Sequence, residues 1–445
     1  MPQMIGIRRR EIKLSTVRGP SSLSTPLLAA LEAQRGFSAR SGGLWDDYPG
    51  AINPSAARLL LRLVEGRVLD PFCGSGTILM EAGRLGMPST GCDASPPALF
   101  ISAHRTWRPS DAELADFQHA ASAAVAELRA RSPRAPAGGR RGDWLCPQCG
   151  AHVFASKCEC FACGASKPPR ITTPWAEMRE VVASHAVRSG ASRSDGSHLS
   201  PLWYCFAVAL RRAGATPAAR GRLTPAVDAF EAAVECYLEH VQQPPPPQVA
   251  GAQATRPVLS QPRLFRCDAR ALALPSGCGG FDGVVSAPPA PGVADYLRRA
   301  REERAGLSGE LALEAPLMGM HTLPGGRTWP VEWRSSAEMG ARMAMRRHPA
   351  KFVSGWRTDQ SRWMGAVARA MRPTSRMALL LDDGALEPGK VLAFVEAAAA
   401  DADLALLASA TLRAGHGADR RRSMGREGEH EAAARGLHAV LLERR

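Results

Sequence analysis

The apolar positions of "PSAARLLLRLV" recur at helical spacing, "RVLDPF" reads as a short strand, and "GSGT" is a glycine turn. "ILMEAGRLG" is a helix that stops at Gly86, and "PSTGCDAS" is a second strand. Strand, turn, helix and strand in that order open a doubly wound α/β sheet. Residues 112–131 form an Ala-rich helix, which "RSPRAPAGGRRGDW" breaks into a linker. Residues 171–241 read as helical around one loop, "RSGASRSDGSH", and 242–262 form a Pro-rich, semi-rigid spacer. The sheet pattern resumes at "RLFRCDARALAL" and continues through "FDGVVS", "RMALLLDDG", "LALLASATLRA" and "HAVLLERR". The helix "DQSRWMGAVARAMRP" precedes "RMALLLDDG". One α/β domain, 43–131 and 263–445, is thus predicted to be split by an insertion, with no internal repeat.

At 445 residues, with 45% apolar and 22% charged positions, the chain can bury a sizeable core and hold more than one module. Lys and Arg number 56 against 42 Asp and Glu, a net charge of +14. That balance suits a polyanionic partner such as nucleic acid, or reflects an arginine-rich, GC-biased proteome. No apolar run approaches the roughly 20 residues that span a bilayer, and the start lacks a signal peptide's apolar centre, so a soluble intracellular chain without membrane contact is expected. The first forty residues carry seven Arg or Lys and two acids. Residues 1–42 therefore read as a plain basic tail, in a nuclear or cytoplasmic protein, or as a chloroplast or mitochondrial transit segment.

"VLDPFCGSGT" sets Asp70 at a strand end, with Gly74 and Gly76 in a turn that opens a helix. Such glycines let the backbone approach a ligand, and the helix start offers unpaired N–H groups. No G-K-[ST] follows, which excludes a phosphate-binding P-loop. About twenty residues on, Asp93 closes the second strand, where a carboxylate takes both hydroxyls of a ribose.

"DPFCGSGTILMEA" followed by "GCDAS" resembles the cofactor motifs of S-adenosylmethionine-dependent methyltransferases that act on exocyclic amines of nucleic-acid bases: the amino-specific DNA methylases and the tRNA and rRNA guanine methyltransferases. "WDDYPGAINP" resembles the segment that in those families closes over the methionine end. The resemblance covers about 45–105 and 263–445. It implies a Rossmann-like methyltransferase sheet, S-adenosylmethionine as cofactor, and cofactor contacts from Asp70, Phe72, Gly74, Gly76, Thr77 and Asp93. In "RCDAR", Asp268 takes the place of the acid that contacts the adenine.

"VVSAPPAPG" stands where the family carries a polar residue, two prolines and an aromatic. The prolines force the chain out of the sheet in a rigid extended turn. In the family the polar side chain and a backbone carbonyl accept from the target amine while the aromatic stacks on the base. Here the catalytic positions are Ala287, Pro288, Pro289 and Ala290, so the backbone shape survives without the acceptor side chain or the ring. Two readings stay open: an enzyme compensated by neighbours such as Ser286, Asp295 or Tyr296, or a silent binding protein that kept the fold.

Eleven cysteines in an intracellular chain argue against a disulfide framework, and five of them fall between Cys146 and Cys163. Cys146, Cys149, Cys160 and Cys163 make C-x2-C-x10-C-x2-C, the ligand set of a closed tetrahedral zinc site. With Trp144 and the closing "CGASKP", residues 142–169 resemble the Ran-binding protein 2 type zinc finger. That resemblance implies zinc and, as partner, single-stranded RNA or a ubiquitin-like protein. Phe154 stands at the stacking aromatic and Lys157 at a nucleic-acid contact, while Ala151, Ser156 and Phe161 replace base-reading side chains. The finger favours RNA over DNA as the substrate.

Overall fold

The structure is a computed structural model that describes residues 14–35, 37, 51–131, 144–145, 152–153, 174–188, 200–214, 223–242, 261–296, 338–413 and 436–445. Its strands are β1 (Leu14–Arg18), β2 (Val68–Asp70), β3 (Ser89–Asp93), β4 (Trp144–Leu145), β5 (His152–Val153), β6 (Arg263–Arg266), β7 (Phe281–Ser286), β8 (Met371–Asp382), β9 (Leu404–Arg413) and β10 (Gly436–Arg444). Eight of them form one sheet in the order β1-β9-β10-β8-β7-β2-β3-β6. β6, β3, β2, β7 and β8 are mutually parallel, and β10 enters antiparallel between β8 and β9. The parallel strands start at β2, wind outward through β3 to β6, then return to β7 on the other side of β2. This is the Rossmann-like, doubly wound order, with its switch point between β2 and β7.

The sheet forms because its central strands are apolar on both faces, as a covered parallel sheet requires. Val68, Leu69, Phe281, Val284 and Val285 are fully buried. One face carries α1 (Ser21–Gln34), α2 (Pro54–Leu61) and Ile78 of α3 (Thr77–Arg84); the other carries Trp363, Met364 and Val395 from two later helices. Asn53 caps α2, accepting from the Ser55 amide at 2.8 Å, and Pro54 fits the first helical turn. α4 (Pro96–Arg105) follows β3.

The stretch read as a basic tail contributes to the fold from Leu14 onward. β1 pairs antiparallel with β9, and α1 buries Leu27, Ala30 and Leu31. The spacing 27, 30, 31 is a helical apolar stripe, which the arginine count of the segment obscures.

A second unit consists of α5 (Asp111–Arg131), α6 (Pro174–Arg188), α7 (Pro201–Gly214), α8 (Leu223–Gln242) and the hairpin β4–β5. α5 belongs with these helices, whereas its sequence position places it in the first half of the α/β domain. Its Phe117 meets Tyr237 edge-on at 5.6 Å, and its Arg129 pairs with Asp228 and Glu231 of α8 at 2.6 and 2.5 Å. Among the described residues no helix is long and apolar enough to cross a membrane.

Candidate functional site

The carboxyl ends of β2, β3, β6 and β7 surround a cavity of about 470 Å³, the size of a nucleotide-like ligand site. Its position at the switch point is where open α/β sheets bind ligands. Asp70, Phe72, Gly74, Thr77, Asp93 and Asp268 all line it, so the sequence positions assigned to a cofactor converge on one space. Gly76 stands beneath, at φ +79°, and a Cβ there would overlap Ser102 of α4. Gly76→Ala is expected to cost about 1–3 kcal/mol of stability through backbone strain and overlap, read as a lowered urea midpoint. An unchanged midpoint would contradict the tight approach.

Asp70 is buried, and its Oδ1 accepts from Ser286 Oγ at 2.6 Å and from the Phe72 amide at 3.2 Å. Burial pushes its pKa up to about 7 against these lowering bonds, with some help from the charge of Asp93. Ser286 is the last residue of β7, paired in register with Leu379 of β8. Ser286 ties the end of β7 to the end of β2, the two strands that flank the switch point.

Asp93 accepts from the Gly74 amide at 2.9 Å and the Ser95 amide at 2.8 Å. One carboxylate thereby fixes the glycine turn, and each oxygen keeps a lone pair for a ligand hydroxyl. Burial raises its pKa to about 6, opposed by those amides. Burial acts in the same direction on Asp268, yet the hydrogen bonds and charge of Arg270, with the charge of Arg362, hold it below the usual carboxylate range. Arg270 also pairs with Asp359 of α10 (Pro349–Ala370) at 3.1 Å. From the same helix Trp363 meets Phe72 edge-on at 5.3 Å, fixing the ring at the cavity wall.

The proline turn closes one side. Ala287 and Pro289 line the cavity. The turn is braced from residues 338–345: the Gly292 amide donates to Gly340 O at 2.9 Å and the Met343 amide to Asp295 at 2.8 Å. The same bracing brings two side chains to the cavity beside the turn, Tyr296 and Glu338, and the Tyr296 amide donates to the Glu338 carboxylate. Tyr296 lies six residues beyond Ala290, within sequence reach of the site; Glu338 sits in an unpatterned stretch and carries no sequence signal.

Among the described residues the buried carboxylate of Asp70 has a hydroxyl and an amide as hydrogen-bond partners, beside a glycine turn and two further acids, an arrangement that can meet a cationic, hydroxyl-bearing ligand. Residues 45–96 match the RMKL-like methyltransferase domain family. Over 50 residues the chain is 46% identical to the tRNA (guanine(10)-N2)-dimethyltransferase of Methanothermobacter thermautotrophicus and 44% identical to that of Methanocaldococcus jannaschii. Those matches cover 10% of this chain and 15% and 14% of the relatives, so the chain shares about a seventh of their length. Among solved structures, TrmN from Thermus thermophilus aligns over 93% of this chain and 53% of its own at 13% identity and a TM-score of 0.29. The rRNA methyltransferase aviRa from Streptomyces viridochromogenes aligns over 93% and 94% at 12% identity and a TM-score of 0.27.

Cys146, Cys149, Cys160 and Cys163, with Phe154 and Lys157, lie outside the described residues. Among the described residues no cluster of His, Cys, Asp or Glu could hold a metal ion. Described on either side of Cys146 and Cys149 are β4 and β5, which pair antiparallel through Trp144 with Val153 and Leu145 with His152.

Proposed function

We propose that the protein is an S-adenosylmethionine-dependent methyltransferase that acts on the exocyclic amine of a base in RNA, with guanine the favoured base. The observation that carries this reading is the cavity: the matched segment 45–96 supplies its glycine turn and two of its acids, and the proline turn supplies Ala287 and Pro289 to its lining. The names of the curated relatives favour guanine over other bases and RNA over DNA.

S-adenosylmethionine would supply an electrophilic methyl group. Lining the cavity, Asp70 would face the cationic end, Asp93 the ribose hydroxyls and Asp268 the adenine side, while Phe72 and Ile52 would exclude water. A base amine is a weak nucleophile because its lone pair is delocalised into the ring. Glu338 stands as the acceptor that Ala287 lacks, and Tyr296 as the ring that Ala290 lacks. A carboxylate matches the two parallel donors on the Watson–Crick edge of guanine. Hydrogen bonding at the amine localises its lone pair, and the base has to leave its stack to reach the pocket.

The two alanines favour a second reading, a silent nucleic-acid-binding protein. One experiment separates the two. Purified protein is incubated with tritiated S-adenosylmethionine and total RNA or unmethylated DNA, and the digested nucleosides are identified. Label on N2-methylguanosine is the expected result; no label from a preparation that binds the cofactor would favour the silent protein.

The four cysteines 146, 149, 160 and 163 we assign to a structural zinc, supported by their spacing and by the β4–β5 hairpin that brackets the first two. Elemental analysis is expected to find one zinc per chain, lost in Cys146→Ser/Cys163→Ser. A metal-free native preparation would overturn the assignment. Titration with homopolymer RNA and with ubiquitin decides which partner the finger serves, RNA being expected.

A further inference from the structure

We infer that the helix pair beyond the proline turn, α9 (Arg342–Arg347) and the start of α10, is a phosphate-binding ridge that seats single-stranded RNA at the mouth of the cavity. The inference rests on the function proposed above for its choice of nucleic acid, and its physical basis is independent of the chemistry.

From Arg342 to Thr358 the chain carries five Arg or Lys residues and no Asp or Glu. Arg342, Arg346, Arg347, Lys351 and Arg357 are all exposed. Two other exposed arginines of the same unit pair with carboxylates, Arg372 with Asp282 at 2.5 Å and Arg18 with Glu396 at 3.3 Å. Among the described residues none of the five ridge cations lies in an ion pair; Arg357 rests over the Phe394 ring at 5.9 Å. Arg342 and Arg346 are four apart on one helix, a like-charge spacing that destabilises it and that no described carboxylate relieves. A row of cations held together without internal counter-charge suits an anion supplied from outside.

The ridge is fastened to the active-site wall. The Arg342 amide donates to Ala294 O at 3.2 Å, the Met343 amide to Asp295 at 2.8 Å, and a Cβ on Gly292 would overlap Met345. Farther along α10, Arg362 acts on Asp268 at the cavity edge. Lys351 and Arg362 are eleven residues apart, three turns and about 16 Å along one helix face. Cations therefore run from beside the proline turn to Arg362, which acts on Asp268 of the cavity lining, a path along which a backbone could lie while one base enters.

The test is the binding of a fluorescently labelled single-stranded RNA to full-length protein and to R346E/R347E/K351E, over a series of salt concentrations. Removing three phosphate contacts is expected to reduce the slope of log affinity against log salt by about 2, at roughly 0.7 per contact for single strands. Affinity is expected to fall at least about tenfold at 0.1 M salt, with S-adenosylmethionine affinity and thermal midpoint unchanged. Equal slope and affinity in the variant would overturn the ridge even if the wild type methylates RNA. Conversely, wild type that binds RNA with the expected slope but transfers no methyl would leave the ridge standing and the proposed reaction without support. Binding confined to duplex DNA or to anionic phosphatidylglycerol vesicles would overturn the inference.

Discussion

Glu338→Gln is expected to lower kcat for methyl transfer by about 10²–10³-fold, the range for losing one well-placed catalytic hydrogen-bonding group. The substituted amide keeps an oxygen for the Tyr296 N–H, so the wall of the cavity should stand. A glutamine side chain presents one acceptor and one donor, and can no longer take two donors from a guanine edge. Affinity for S-adenosylmethionine, measured by calorimetry, should move by less than about twofold, because Asp70, Asp93 and Asp268, the acids proposed to meet the cofactor, are untouched. Tyr296→Ala should act on the same step through lost stacking, worth about 1–3 kcal/mol or 5- to 150-fold in kcat/KM. If both variants turn over at the wild-type rate, the acceptor and the ring come from elsewhere. Where Glu338→Gln shows the expected loss, adding Ala287→Asn with Ala290→Tyr should recover part of it, since those positions match the places of the two groups in the family that the sequence resembles.

The second large effect concerns pH. Asp70 and Asp93 have folded-state pKa values raised to about 7 and about 6, in both cases chiefly by burial. In the unfolded chain an Asp titrates near 3.9. Between those values the folded protein holds more protons than the unfolded one, so the stability these groups contribute is full below about pH 4 and is lost as pH rises through 6 to 7. The ligand-free protein should therefore gain stability on going from pH 8 to pH 5.5, by about 2 kcal/mol from Asp70 alone. Asp70→Asn should flatten that profile. A cation placed against Asp70 favours its ionised form, so cofactor binding near pH 7 should release a fraction of a proton, measurable by calorimetry in buffers of different ionisation enthalpy. A wild-type midpoint that falls over the same pH interval, in parallel with Asp70→Asn, would show that the buried carboxyl is not protonated in the fold.

The sequence alone determined the glycine turn, the acids at the ends of β2 and β3, the doubly wound character of the sheet and the place of the proline turn. Each is local. A turn that needs Gly76 at positive φ, a strand buried on both faces and a rigid Pro-Pro exit all write themselves into neighbouring residues. The cysteine spacing is local in the same way, two C-x2-C pairs separated by ten residues.

Tertiary structure decided what depends on residues far apart in the chain. Leu14–Arg18 becomes a strand because β9, near the other end of the chain, offers it an edge, and charge counting over the first forty residues points to a tail. The helix 111–131 joins the helical unit because Phe117 and Arg129 find partners on α8. Asp70 titrates near neutral pH through burial, against the bond it accepts from Ser286 on a strand that is distant in sequence. Glu338 stands forty-two residues from Tyr296 and meets it only because Gly292 and Gly340 pair their backbones across the proline turn. Periodicity records which face of an element is buried; it holds no record of which distant side chain closes the cavity, and that choice is made by packing.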